Sequence, residues 1–328
     1  MKWSQPDRGA PTLRSVGGTE DDDVLRPDSS SGLGRAPDRP LRLLLLNAID
    51  PEAAEFYDDA GARLRRRGLD VGVIHETPAP RPGHVEPEWD VVVTNYRRDD
   101  VTTAARLVVG GAPTPRPTTL GWLEGAGVPT MEWATAGNRS QVWRLFGRWG
   151  VDRLILKPSF SFGGRAVCVF GRRSVPRMRW NPELDVICRE VNPADGDVYK
   201  VELMAGEVLV GWMSNSPPIR ELFAGRRGHG IPGAYGDRSR WDPPETVAQP
   251  LREFSARMAE QGYGHMSVDL MRTQDGDFVA IELNNFSVAV WWTKQFEDFR
   301  ERHADAIHRL ALAGQARLAS DSTVPDLA

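Results

Sequence analysis

Apolar residues fall into short blocks along the chain, and the spacing within each block predicts an element. Leu41-Arg42-Leu43-Leu44-Leu45-Leu46 is an almost continuous apolar run of strand length, the pattern of a buried strand. From Pro51 to Gly68 the apolar positions Ala53, Ala54, Phe56, Tyr57, Ala60 and Leu64 recur at helical spacing, with Arg65–Arg67 in the last turn and Gly68 as the stop. Val71–Ile74 and Trp89–Thr94 read as two further strands. Strand, helix, strand, strand predicts a small parallel α/β layer. Its first turn, Asn47-Ala48-Ile49-Asp50-Pro51, lacks the Gly-x-Gly-x-x-Gly spacing that brings a backbone close to a pyrophosphate, which argues against a dinucleotide domain.

Beyond this layer the pattern mixes both periods. Gly121–Val128 predicts a short helix and turn, and Arg139–Trp149 a longer helix. Leu154–Lys157 and Ala166–Phe170 pair as strands across Pro158–Arg165, a loop rich in Ser and Gly. Strands follow at Val186–Val191, Tyr199–Met204 and Glu207–Met213, then an irregular stretch over Ser214–Pro244. A helix over Pro250–Gln261 leads to a hairpin, His265–Arg272 with Asp277–Leu283, turning at Asp275-Gly276. A helix over Phe296–Gly314 closes the pattern. The expected organisation is a disordered tail over 1–40, a small α/β domain over 41–135, a larger α+β domain over 136–318 and a flexible tail over 319–328. The fold class is therefore α/β (α+β).

Composition narrows the function. The chain has 328 residues and a net charge of −4, so a dedicated nucleic-acid binder, which would run basic, is not expected. No apolar run reaches 18 residues and the N-terminus has no apolar signal region, which predicts a cytoplasmic protein with no membrane span. Two cysteines, Cys168 and Cys188, exclude a disulfide framework. Of 41 basic residues only Lys2, Lys157, Lys200 and Lys294 are lysines, which marks each of them for chemistry that wants a compact ammonium.

Two local constellations carry chemistry. Asp269 sits mid-strand among apolar neighbours, while Glu282 and Asn284, two apart, share a face of the next strand. A hairpin joining these strands gathers three oxygen donors, and Mg²⁺ takes such a set together with phosphate oxygens and waters. Buried carboxylates rarely occur without a partner, which favours this reading over a solvated strand face. Lys157 ends an apolar strand before a loop carrying Ser161, Gly163 and Gly164, where an ammonium and backbone N–H groups can meet phosphate. His265, just before the strand of Asp269, reads as structural.

In this order the pieces resemble the ATP-grasp superfamily: Leu154–Pro158 with its Ser/Gly loop, Val186–Val191, Asp197–Val201 before Ala205–Val208, and Val268-Asp269 with Glu282–Asn284. The resemblance runs from about Arg139 to Trp292, and Leu41–Val128 is similar to the small α/β domain that precedes an ATP-grasp domain. Within that superfamily it resembles glutathione synthetase and the ligases that add glutamate to a ribosomal protein. The resemblance implies ATP as cosubstrate, with Mg²⁺ or alternatively Mn²⁺ held by Asp269, Glu282 and Asn284. It implies Lys157, Ser161, Gly163 and Gly164 on the phosphates, and Arg189, Glu190 and Val191 beside adenine. Lys200 would face the γ-phosphate and acyl group.

The family's earlier ATP lysine has no counterpart, since no Lys lies between Lys2 and Lys157, so Arg139 or Arg144 would take that role, and Arg139, at the helix start, is assigned it. Arg220 and Arg226, in the glycine-bearing stretch after the central strands, would grip a substrate carboxylate. The implied reaction is ATP-dependent ligation of a carboxylate to an amine or thiol through an acylphosphate. The substrates would be amino acids or peptides, and homo-oligomerisation stays open. The alternatives are a phosphotransferase acting on a hydroxyl and a degenerate nucleotide-binding scaffold.

Overall fold

A computed structural model of the chain describes residues 41–47, 54–75, 89–95, 107–112, 114–159, 167–189, 194–215, 238–285 and 296–321. The expected tail over 1–40 and the site residues Ser161, Gly163, Gly164, Glu190, Val191, Arg220 and Arg226 lie outside the described residues.

The leucine run forms β1 (Arg42–Asn47), and Leu43–Leu46 are fully buried because β1 is an inner strand. It pairs in parallel with β2 (Asp70–His75) on one side and β3 (Val91–Thr94) on the other, and β4 (Leu107–Gly110) extends the sheet beyond β3. Helix α1 (Ala54–Arg66) connects β1 to β2 and buries Phe56, Tyr57, Ala60 and Leu64, the face its apolar spacing predicted. The parallel α/β layer is as expected. Strand β4 was not foreseen, since Leu107-Val108-Val109 is too short to show a period.

Helix α2 (Arg116–Gly125) begins five residues earlier than the pattern suggested, at the Pro115-Arg116-Pro117 start. Next come β5 (Trp133–Ala134), helix α3 (Arg139–Trp149), β6 (Arg153–Lys157), β7 (Cys168–Gly171), a 3₁₀ turn over Arg172–Arg177 and β8 (Val186–Arg189). The strands form an antiparallel sheet in the order β5-β8-β6-β7. Asn138 caps α3 through its side chain, accepting from Gln141 N at 3.0 Å, and Gly150 ends it in the left-handed conformation at φ 62°.

The third sheet, β11-β10-β9-β12-β13, comprises β9 (Asp197–Met204), β10 (Glu207–Asn215), β11 (Arg238–Arg240), β12 (Met266–Arg272) and β13 (Phe278–Asn284). Strand β11 lies inside the stretch read as irregular; three polar residues carry no hydrophobic signal. Helix α4 (Glu245–Glu260) starts one and a half turns before Pro250, which was read as its first residue. Pro250 lies inside the helix, at its sixth position, where it donates no hydrogen bond. Val201, Leu203, Val268, Leu251 and Phe254 join one core with Ile155 and Cys188 of the neighbouring sheet.

The closing helix, α5 (Glu297–Asp321), runs past Gly314, read as its stop. A Cβ there would lie 2.6 Å from Leu107 Cδ2 and 3.1 Å from Val91 Cγ2, so the glycine is a packing contact onto β3 and β4. Phe299, Ile307, Leu310 and Ala311 of α5 share a core with Leu43, Leu45, Phe56 and Leu64. At the rim, Arg63 of α1 and Arg67 in the turn just after it both pair with Glu301.

His303 of α5 is buried between the rings of Phe56 and Phe299, at 4.6 and 6.0 Å between centroids, and its Nδ1 has no hydrogen-bond partner. Burial, with His265 nearby, holds its pKa well below the usual value. A group whose folded pKa is depressed takes up its proton on unfolding, so this contribution to stability is level above about pH 6.5 and is lost below it. The urea midpoint is expected to fall between pH 7.5 and pH 5, and to fall less in His303→Phe. Equal pH dependence in the two proteins would mean that His303 protonates in the fold at no cost.

Candidate active site

Direct pairing partners across a sheet share a face, and four side chains here fall in one row. Trp212 of β10 is opposite Lys200 of β9, Lys200 is opposite Asp269 of β12, and Asp269 is opposite Glu282 of β13. Lys200 Nζ lies 2.8 Å from Asp269 Oδ1, and both side chains are buried. The Lys200 ammonium also stands 5.5 Å from the Trp212 ring centroid. Asn284, two residues beyond Glu282, lies on the same face of β13.

The register slips between Asp269 and Leu270, where β13 carries one extra residue, Ile281. Bulges re-aim backbone groups beside sites, and here the Ile281 carbonyl accepts a hydrogen bond of 2.9 Å from Lys157 Nζ. Strand β6 thereby delivers Lys157 to the carboxylate row. The lysine is buried, and desolvation lowers its pKa, opposed by Cys188, Glu282 and Asp269.

A fifth charged group was missed by the sequence. Arg116, in the first turn of α2, is buried and forks onto Glu282, Nη1 to Oε2 at 3.2 Å and Nη2 to Oε1 at 3.3 Å. A cation in a helix's first turn opposes the macrodipole, so its presence there needs a specific anion. That mismatch, Arg between two helix-starting prolines, was the available signal. The Arg116 N–H donates to Ser159 Oγ at 2.9 Å, so the loop after Lys157 caps this helix. Asn285 Nδ2 donates to Thr114 Oγ1 at 2.7 Å and ties the end of β13 to the same turn.

Burial raises Asp269 to about 6, with Glu282 adding to the rise and Lys200 opposing it. Burial would also raise Glu282, but Arg116, Lys157 and Lys200 outweigh it and hold that carboxyl below its usual range. Cys188, next to Lys157 and Arg116, is pushed up by burial to about 11 and stays a neutral thiol. With both carboxylates ionised, three cations and two anions leave this cluster at +1.

The other predicted residues lie elsewhere. Arg139 is exposed in the first turn of α3, and the cation joined to the cluster from a helix start is Arg116. Arg189 is exposed at the end of β8 and pairs with Glu132. His265 is buried with Nε2 2.9 Å from Glu202 Oε2, a structural pairing as expected. Glu202 also accepts from Trp212 Nε1 at 3.4 Å, so this carboxylate is held beside the row without joining it.

The oxygen donors fit a divalent ion of the Mg²⁺ type. Asp269 supplies a buried carboxylate whose Oδ1 is ion-paired with Lys200, and Glu282 and Asn284 lie on adjoining positions of the same face. No cluster of three His, Cys, Asp or Glu side chains occurs among the described residues. One or two carboxylates completed by phosphate oxygens and water is the set Mg²⁺ accepts.

No protein-family profile and no curated protein sequence matches the chain. Solved structures do. D-cycloserine synthetase DcsG is similar over 82% of this chain and 99% of its own, at TM-score 0.59 and 18% identity. The ATP-grasp ligase PsnB, complexed with a phosphomimetic variant of its minimal precursor, Mg and ADP, matches over 82% and 98%, at TM-score 0.55 and 13% identity. D-alanyl-alanine synthetase A from Vibrio cholerae matches over 85% and 99%, at TM-score 0.52 and 12% identity. The shared feature is the fold.

Proposed function

With the ATP-grasp fold as premise, we propose that the chain is an ATP-dependent carboxylate–amine ligase acting on an amino acid or peptide. The observation that carries this reading is the buried row Lys200–Asp269–Glu282 with Lys157 and Arg116 closed onto it. Five ionisable side chains brought together at the meeting of two sheets and a helix start exceed what a core needs, because burying charge is costly unless it is paired. Their net positive charge suits a polyphosphate.

In this reading Lys157 and Arg116 bind phosphate oxygens, and Arg116 takes the place first assigned to Arg139. Asp269, Glu282 and Asn284 would hold Mg²⁺, which would supply positive charge against the phosphates. Lys200 neutralises Asp269 until nucleotide arrives and then faces the transferred phosphoryl group. The substrate carboxylate would attack the γ-phosphorus, releasing ADP and forming an acylphosphate, and an amine would then displace inorganic phosphate to form the amide. Arg220 and Arg226 remain the proposed carboxylate clamp, and Ser161, Gly163, Gly164, Glu190 and Val191 the proposed nucleotide contacts.

The charge balance makes a specific forecast. A free divalent cation meets a cluster that is already positive, so the metal enters with the phosphates. Thermal stability is expected to rise with Mg-ATP, by about 2.7 kcal/mol at a hundredfold excess over Kd, and to change little with Mg²⁺ alone. Phosphate release that then requires both a carboxylate and an amine identifies the ligase. No shift with Mg-ATP would remove the nucleotide reading and favour a degenerate scaffold. Release with an alcohol in place of the amine, without amide, would identify a phosphotransferase.

A further inference from the structure

The chain carries its charge unevenly. Between Ala136 and Arg189 there are eleven Lys and Arg against three Asp and Glu, a balance of +8 in a protein of −4. Most of these cations do not serve the cluster described above. Arg139, Arg144 and Arg148 on α3 and Arg172, Arg173 and Arg177 on the 3₁₀ turn are all exposed. Like charges gathered this densely repel one another, so they raise the free energy of the fold unless an anion meets them.

One part of this surface is concave. Arg144 and Arg148, one helical turn apart, line a cavity of about 610 Å³ with Gln141, Thr135, Gly137 and Pro182, floored by Ala134 and Leu145. Neither arginine forms an ion pair among the described residues. Helix α3 packs on the sheet face that carries Leu154, Leu156 and Ile187. Lys157 alternates with Leu156 and points to the opposite face. The cavity is thus separated from the carboxylate row by the thickness of a sheet.

We propose that this cleft is a docking site for an acidic, extended polypeptide segment. It rests on the ligase reading in so far as the segment belongs to a peptide substrate. Four residues along a helix advance about 6 Å. Alternate side chains of an extended chain repeat at about 6.6 Å, so Arg144 and Arg148 match carboxylates at positions i and i+2. Each guanidinium can fork onto a carboxylate. Ala134 and Leu145 offer a small apolar floor to the side chain between them, and Thr135 and Gln141 supply polar partners.

The described lining holds no aromatic ring, the platform on which single-stranded nucleic acids stack their bases. The remainder of the chain has a balance of −12, which repels any long polyanion extending beyond the cleft.

The test is fluorescence anisotropy of the full chain, without nucleotide, against a labelled eight-residue peptide of alternating Glu and Ala. A Lys/Ala peptide and a dodecathymidylate serve as comparison probes. The acidic peptide is expected to bind, with affinity falling as salt rises, and the Lys/Ala peptide is not. Arg144→Glu/Arg148→Glu should weaken it at least tenfold, and Arg144→Gln/Arg148→Gln, which adds no repulsion, at least threefold. The Mg-ATP thermal shift should persist in both double variants. Unchanged peptide affinity in the variants, or no binding by the wild type at about 1 mM, overturns the proposal. Preference for the oligonucleotide reassigns the surface to nucleic acid. Failure of the Mg-ATP shift in the wild type removes the ligase reading while leaving the peptide result to stand or fall by itself.

Discussion

Asp269→Asn is expected to lower Mg-ATP-dependent turnover by about a hundred- to a thousandfold, the scale on which one preorganised electrostatic group acts. The same substitution removes the counter-charge of a buried ammonium, since Lys200 lies 2.8 Å from Asp269 and both side chains are under one-tenth exposed. Breaking one side of such a pair costs about 3 kcal/mol. Loss of turnover could then report a weakened fold rather than a lost ligand. Lys200→Met/Asp269→Asn separates the two, because a buried pair replaced on both sides leaves no orphaned charge. The double variant should regain most of the stability and none of the turnover. Activity of the single variant near the wild type would sink the metal assignment, and a double variant as unstable as the single one would show that the pair is not what the fold loses.

Arg116→Ala should raise the Kd for ATP at least tenfold, about 1.4 kcal/mol of binding. Arg116 is the cation that enters the cluster from a helix start, and removing it also frees Glu282 from its fork. Arg116→Lys keeps a charge but not the fork, and should fall between the two. Arg139→Ala, altering an exposed side chain on α3, should change the Kd less than twofold. Isothermal titration with a non-hydrolysable ATP analogue reads all three. A larger effect at Arg139 than at Arg116 would return the first phosphate contact to α3.

These two residues also mark what the sequence could and could not convey. The pairing of Asp269 with Glu282 was legible because each is a charge set among Val, Leu and Ile in a strand-sized block, and burial of such a residue calls for a partner, whereas Lys200 entered only through the resemblance. The parallel layer was legible because β1 and α1 show their periods cleanly. Arg116 was not, since its partner lies 166 residues away and its helix was read as starting at Gly121. The bulge that turns the Ile281 carbonyl to Lys157 has no local signature either, because Ala280-Ile281-Glu282 reads as unbroken alternation. Gly314 and Pro250 misled for a shared reason. Each is a residue that usually bounds a helix, and each lies inside one here, Gly314 packed against Leu107 and Val91.

The seating of α5 on the parallel sheet has a consequence for the making of the protein. Leu43, Leu45 and Phe56 belong to the first strand and helix, yet the residues that complete their core, Phe299, Ile307 and Leu310, leave the ribosome some 250 residues later. At about 5–20 residues per second of synthesis, that interval is about 12–50 s. Throughout it the earliest sheet is translated, paired in part and uncovered, with an apolar face open to any holdase that finds it. The nascent chain therefore cannot finish one half and proceed to the other. The core made first closes last.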